Sequence, residues 1–182
     1  MRSLLIFLFI LIGGSAYAEE TALEPAACYK AFKQYSPADV IAFAKQARDY
    51  IQKNEASIKD FNKVSPLTFR SFPFSPAITV MRCDEMKVVS FVFPEMLRVV
   101  SEPGYLIKFI DVNGQHTFVS LCAKMRGNAE AAWTMQEHFW MQCNGALKMG
   151  VLMLKVPGTP YVIQSSLPSD TLTLKDFEAS LK

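Results

Sequence analysis

The sequence is short of the residues from which most enzymes and metal centres are built. It has two histidines, His116 and His138, and four cysteines in 182 residues. No two cysteines are spaced C-x-x-C, which removes the redox and zinc-ribbon readings. H-E-x-x-H, a glycine-rich phosphate loop and G-x-S-x-G are missing as well. Glu137 and His138 are neighbours, but adjacent residues on a strand point to opposite faces, so His138 is expected to cap the sheet edge or meet solvent. Asp111-Val112-Asn113-Gly114 opens like a calcium loop but lacks the later carboxylates and the closing Glu. No nucleophile–base set can be assembled. The chain is therefore read as a non-enzyme with no cofactor and no catalytic or metal residues, and an exported hydrolase is the most distant alternative.

An excess of one charge is also lacking. Nineteen Lys and Arg face seventeen Asp and Glu, a net of +2, and the basic residues are scattered. Such a surface gives no electrostatic reason to expect nucleic acid or an anionic membrane as partner. There is no repeat, low-complexity tract or linker. The apolar run Leu4 to Ile12 is too short for a comfortable span, which needs roughly 20 residues. With Arg2 before it and Ser15-Ala16-Tyr17-Ala18 after it, Met1 to Ala18 reads as a cleavable signal peptide. The expected product is a single domain over residues 19–182, periplasmic or secreted, with no stable membrane span after cleavage. In an oxidising compartment Cys28, Cys83, Cys122 and Cys143 suggest at least one disulfide, with three pairings open.

What is present is a strong pattern of elements. Cys28 to Phe32 suits a helical turn or two. Ser36-Pro37-Ala38-Asp39 is a helix start, with Ser36 capping, Pro37 at the first position and Asp39 reaching back. Val40, Phe43, Ala44, Ala47, Tyr50 and Ile51 then form one apolar face, expected to continue through Ile58 and Phe61. The segment from Ser65 to Pro76, rich in Pro and Phe, reads as an ordered loop on the core. Ala77 to Cys83 and Met86 to Phe93 read as a hairpin turning at Asp84-Glu85, with Ile78, Val80 and Arg82 on one face. Gln115 to Arg126 suits a short helix stopped by Gly127.

The most informative stretch is Trp133 to Leu167. Strand-like runs flank Asn144-Gly145, where a type I′ turn needs positive φ, and Pro157-Gly158-Thr159-Pro160 gives a second reversal. The product is a three-stranded antiparallel meander that brings Trp133, Phe139, Trp140 and Tyr161 near one another. Thr173 to Asp176 caps a terminal helix with Leu174, Phe177 and Leu181 inward.

In this order the elements resemble the single Cache domain family, extracytoplasmic relatives of the PAS fold. Ala47-Arg48-Asp49-Tyr50-Ile51-Gln52-Lys53-Asn54 is similar to the family's A-x-x-Y-I-x-K-N-G helix, with Glu55 in place of the glycine. Val92-Phe93-Pro94 occupies the apolar-His-Pro position, with Phe93 replacing the histidine. Asp111 to Gln115 matches a D-x-N-G-K turn. Ala132-Trp133 with His138-Phe139-Trp140 resembles the aromatic strand, and Lys148 with Val156 to Tyr161 resembles the closing strand and V-P-G-T-x-Y turn. The resemblance spans Ala38 to Leu167. It implies an α+β, PAS/Cache-like fold with a long N-terminal helix packed on a five-stranded antiparallel sheet.

The family commonly binds small carboxylates or amino acids. Members usually sit ahead of a transmembrane helix and a signalling module. With neither read in this sequence, the expectation is a stand-alone small-molecule sensor or carrier without an output module, signalling, if at all, through a separate protein partner. Arg82 and Lys148 are the candidates for a ligand's anionic group, and Trp133, Phe139 and Tyr161 for pocket walls. The alternative is a structural or protein-interaction domain whose pocket is filled by its own side chains. Phe93, the nine methionines and the Phe-rich loop would then be packing.

Overall fold

The computed structural model describes residues 24–53, 78–90, 98–127, 129–140 and 143–182, and only the backbone of Trp140. The readings of Met1 to Ala18, of the helix beyond residue 53, of the Phe-rich loop and of Val92-Phe93-Pro94 lie outside these residues. Two helices come first, α1 (Pro25–Phe32) and α2 (Pro37–Lys53). The hairpin strands β1 (Ile78–Arg82) and β2 (Lys87–Ser90) follow, then a single turn α3 (Tyr105–Lys108) and the helix α4 (Thr117–Arg126). β3 (Ala131–Trp140), β4 (Gly145–Lys155) and β5 (Tyr161–Pro168) make the meander, and α5 (Leu174–Ala179) closes the chain. The fold is α+β, with one five-stranded sheet of order β2-β1-β5-β4-β3 and every pair antiparallel.

Local chemistry places the helix starts. The Ser36 hydroxyl accepts from Asp39 N at 3.2 Å, and an Asp39 carboxylate oxygen accepts from Ser36 N at 2.7 Å. Two backbone donors at the start of α2 are thereby satisfied. Thr173 and Asp176 make the same reciprocal box at α5. Val40, Ile41, Ala44, Ala47 and Ile51 are buried along α2, while Phe43 and Tyr50 are half-buried.

The sheet is covered on both faces, and β4 from Met149 to Leu154 reads as a continuous apolar run. On one face, Ile78, Val80, Trp133, Leu152, Leu154, Ile163 and Leu167 pack with α2 and with Phe177 of α5. On the other, Met81, Val88, Met149, Val151, Met153 and Val162 pack beneath α3 and α4 with Leu106, Leu121 and Met125. Both faces of β1 are therefore core. Leu181, expected inward, is 38% exposed because α5 ends at Ala179.

All four cysteines are paired. Cys28–Cys143 ties α1 to the β3–β4 connection, and Cys83–Cys122 ties the β1–β2 turn to α4. The β3–β4 connection departs from the expected type I′ turn. Asn144 has φ +44°, but Gly145 has no positive φ and pairs with Trp140 as the first residue of β4. Glycine is needed there for space, because a Cβ would come within 2.6 Å of Pro25 Cγ. The second reversal forms as expected, with Gly158 at φ +76° and Thr159 N donating to Val156 O.

Candidate functional site

The five residues singled out from sequence all project from the α2 face of the sheet, but they do not line one site. Arg82 and Tyr161 are cross-strand partners at one end. Lys148 faces Glu137 and Phe139 faces Ala146 near the other end. Trp133 lies between them, 1% exposed, with its ring centroid 4.7 Å from that of Phe177. It is a core residue. Phe139 is 60% exposed and Lys148 is exposed, while Tyr161 is half-buried. Phe139 and Tyr161, expected together, stand at opposite ends of the meander.

Arg82 is already committed. Its guanidinium donates to both carboxylate oxygens of Asp84 and pairs with Glu85, which also binds Lys87. The Asp84 hydrogen bonds hold the Arg82 pKa above its ordinary value and the Asp84 pKa below its own. These side chains clamp the hairpin turn, and they leave no free anion-binding fork.

A different set emerges on the α4 face. Period-2 alternation along β3 puts Thr134, Gln136 and His138 on that face, and register carries the polar row across the sheet. Thr134 stands opposite Val151, which stands opposite Ser166; Thr79 stands opposite Gln164. Gln164 Nε2 donates to Ser166 Oγ at 3.1 Å. Thr79, Gln136 and Gln164 are each at most 7% exposed. A sheet face buried on an apolar core has little reason to carry so many amides and hydroxyls.

The row ends in a corner between β3 and the start of α4. The His138 ring packs on Phe109 at 4.4 Å between centroids, and Phe109 packs on Phe118 at 4.9 Å. Thr117, next to Phe118, opens α4, which has no side-chain cap. Asp111 is 6% exposed, and one of its carboxylate oxygens accepts from the N–H groups of Asn113 and Gln115. Five buried polar atoms have no hydrogen-bond partner among the described residues: Trp133 Nε1 and Ser165 Oγ on the α2 face, and Thr117 Oγ1, Gln136 Oε1 and His138 Nε2 on the α4 side. Burial pushes the His138 imidazole below its ordinary pKa, with the Asp111 charge pulling the other way. His138 is thus half-buried on the edge strand β3, with its Nε2 shut off from solvent. The sequence signal for this corner is T-x-Q-x-H, read at strand period.

No group of His, Cys, Asp and Glu among the described residues could hold a metal ion, and no described helix is long and apolar enough to cross a membrane. A shallow groove of about 240 Å³ between the α1–α2 junction and the segment after β5 is lined by Tyr29, Lys33, Tyr35, Asp170 and neighbours.

No family model matches the chain, and no curated protein matches it in sequence. Solved structures do. A Cache chemosensory domain described for its carboxylic acid recognition superposes with a TM-score of 0.53 at 11% identity, covering 80% of this chain and 98% of its own. A methyl-accepting chemotaxis protein from Vibrio parahaemolyticus superposes at 0.51 and 10% identity, covering 72% and 87%. The fold is Cache-like. In this Cache-like frame the orphaned corner sits on the sheet face opposite the long helix α2.

Proposed function

We propose that this chain carries an extracytoplasmic Cache-like domain that binds a small polar metabolite on the α4 face of its sheet, as a sensor or carrier without catalysis. The observation that carries this reading is the trio of unpartnered buried atoms, Thr117 Oγ1, Gln136 Oε1 and His138 Nε2. A buried polar atom without a partner costs roughly 1–3 kcal/mol, and a ligand that supplies the missing hydrogen bonds recovers it. The neighbouring Thr134, Gln164 and Ser166 supply further uncharged contacts. Two disulfides support an oxidising compartment, periplasmic or secreted, and hence the signal-peptide reading of Met1 to Ala18.

The second reading, a protein-interaction domain, draws on the exposed apolar residues Ile107, Ile110, Val112 and Phe139. Val112 N donates to Glu137 O, which places Val112 beside the edge strand β3 that also carries Phe139.

The discriminating experiment is a thermal-shift screen of the oxidised protein against carboxylates, amino acids, amines and neutral polyols. A ligand at 100 times Kd stabilises by about 2.7 kcal/mol, which raises Tm by roughly 5–10 °C at this size. A flat response across all four classes sinks the small-molecule reading and directs the search to protein partners.

A further inference from the structure

Resting on the reading just given, we propose that the ligand group received in the corner between β3 and α4 is a protonated primary amine. One of the orphaned atoms has a fixed hydrogen-bond polarity, and the other two are compatible with it. Gln136 Oε1 can only accept, and the Thr117 hydroxyl and the His138 Nε2 lone pair can each accept as well. An ammonium carries three donors and no acceptor, so it can use all of them. A carboxylate carries acceptors alone and leaves Gln136 Oε1 unserved.

The surrounding charge points the same way. Asp111 is buried at this corner and acts on His138 through space. Several cations that could offset a carboxylate are engaged elsewhere or lie on the other face. Lys155 donates to Gly127 O at the far end of the sheet, and Arg126 Nη1 donates to Cys83 O at the β1–β2 turn. Lys108 and Lys124 are exposed, Arg82 is paired with Asp84 and Glu85, and Lys148 is on the opposite face. A carboxylate placed here would be buried beside the Asp111 carboxylate, which is the costly arrangement. The exposed N-terminal dipole of α4 favours an anion, but it amounts to a partial charge against the full charge of Asp111.

The test compares n-butylamine, butyrate and n-butanol, three probes with the same chain and different heads, on the full oxidised chain at fixed ionic strength. Binding is measured by calorimetry, and folding by circular-dichroism melts. Butylamine should bind and raise Tm, while butyrate and butanol should not. Asp111→Asn, whose side-chain oxygen can still accept from Asn113 and Gln115 N–H, should weaken butylamine at least tenfold with the melt retained. Gln136→Met should do the same. Butyrate binding more tightly than butylamine, or butylamine binding unchanged in both variants, overturns the amine assignment and leaves the small-molecule reading intact. Silence from all three probes together with a flat four-class screen overturns both.

Discussion

The ring of Phe177 rests on the bare backbone of Gly150, so closely that a Cβ on Gly150 would run into it. This contact seats α5 on the sheet, and it puts Phe177 against Trp133 as well. Gly150 is therefore a packing glycine whose missing side chain makes room for an aromatic ring. Gly150→Ala should destabilise by about 1–3 kcal/mol through overpacking, and Phe177→Ala by about 3–5 kcal/mol through the cavity it opens. The two sites should couple. In the Phe177→Ala background, Gly150→Ala should cost close to nothing, and equal costs in both backgrounds would show that the ring is not what excludes the methyl group.

The Cys83–Cys122 bridge closes a loop with a sequence separation of 39 and holds the far end of α4 over the hairpin turn. In the chain-entropy account such a loop is worth roughly 4 kcal/mol. The double variant Cys83→Ser, Cys122→Ser should melt roughly 10 °C below the oxidised protein. Full reduction of the native protein, which also opens Cys28–Cys143, should cost at least as much. A melt unchanged by both treatments would mean that Arg126 at Cys83 O and the apolar contacts of Leu121 and Met125 hold the junction without the bridge.

How far the chain could be read in advance depended on the range of the interactions involved. The capping boxes at Ser36/Asp39 and Thr173/Asp176, the Pro157-Gly158 reversal and the meander itself are settled by residues three or four apart, and all were legible. The cysteine pairing was not, because three pairings satisfy the same spacing until the fold selects one. Gly145 was misread for a similar reason: what it makes room for is Pro25, far away in sequence. Arg82 is the instructive case on the site. Its partners Asp84 and Glu85 lie two and three residues ahead in a hairpin turn, so their claim on it was visible in the sequence. The stripe Thr134-Gln136-His138 was equally visible at strand period. Its meaning was not, because that rests on α4 covering the face and turning a wet edge into a buried one.

The same burial makes His138 a pH-sensitive element. Its imidazole is held below the ordinary value of about 6.5 by desolvation. The unfolded chain therefore binds the proton more readily than the native one. Stability from this group is complete above about pH 6.5 and is lost as pH falls from there toward the native pKa. The carboxylates of Asp39, Asp84 and Asp176 are held below their ordinary values by hydrogen bonds, so their contribution is lost only at lower pH. Melts of the native protein and of His138→Gln between pH 7.5 and 5 should converge or cross as pH falls. Parallel curves would show that the imidazole ionises as freely in the native state as in the unfolded one.

Gln136 offers the most direct separation of binding from structure. If Gln136 Oε1 is an acceptor kept for a ligand, the unliganded protein carries its desolvation cost. Gln136→Met has a similar volume, stands opposite Met149 on β4, and removes the unserved oxygen. The unliganded variant should then be more stable than the native protein by about 1 kcal/mol or more, a rise in Tm of roughly 2–4 °C. Ligand binding in the four-class screen should fall at the same time. A gain in stability paired with a loss of affinity is the signature of a group held for a partner, since a purely structural glutamine would lose stability on replacement and a surface one would change neither. Loss of stability in Gln136→Met would place that amide in a hydrogen-bonded structural role and remove the central support for a binding corner on this face.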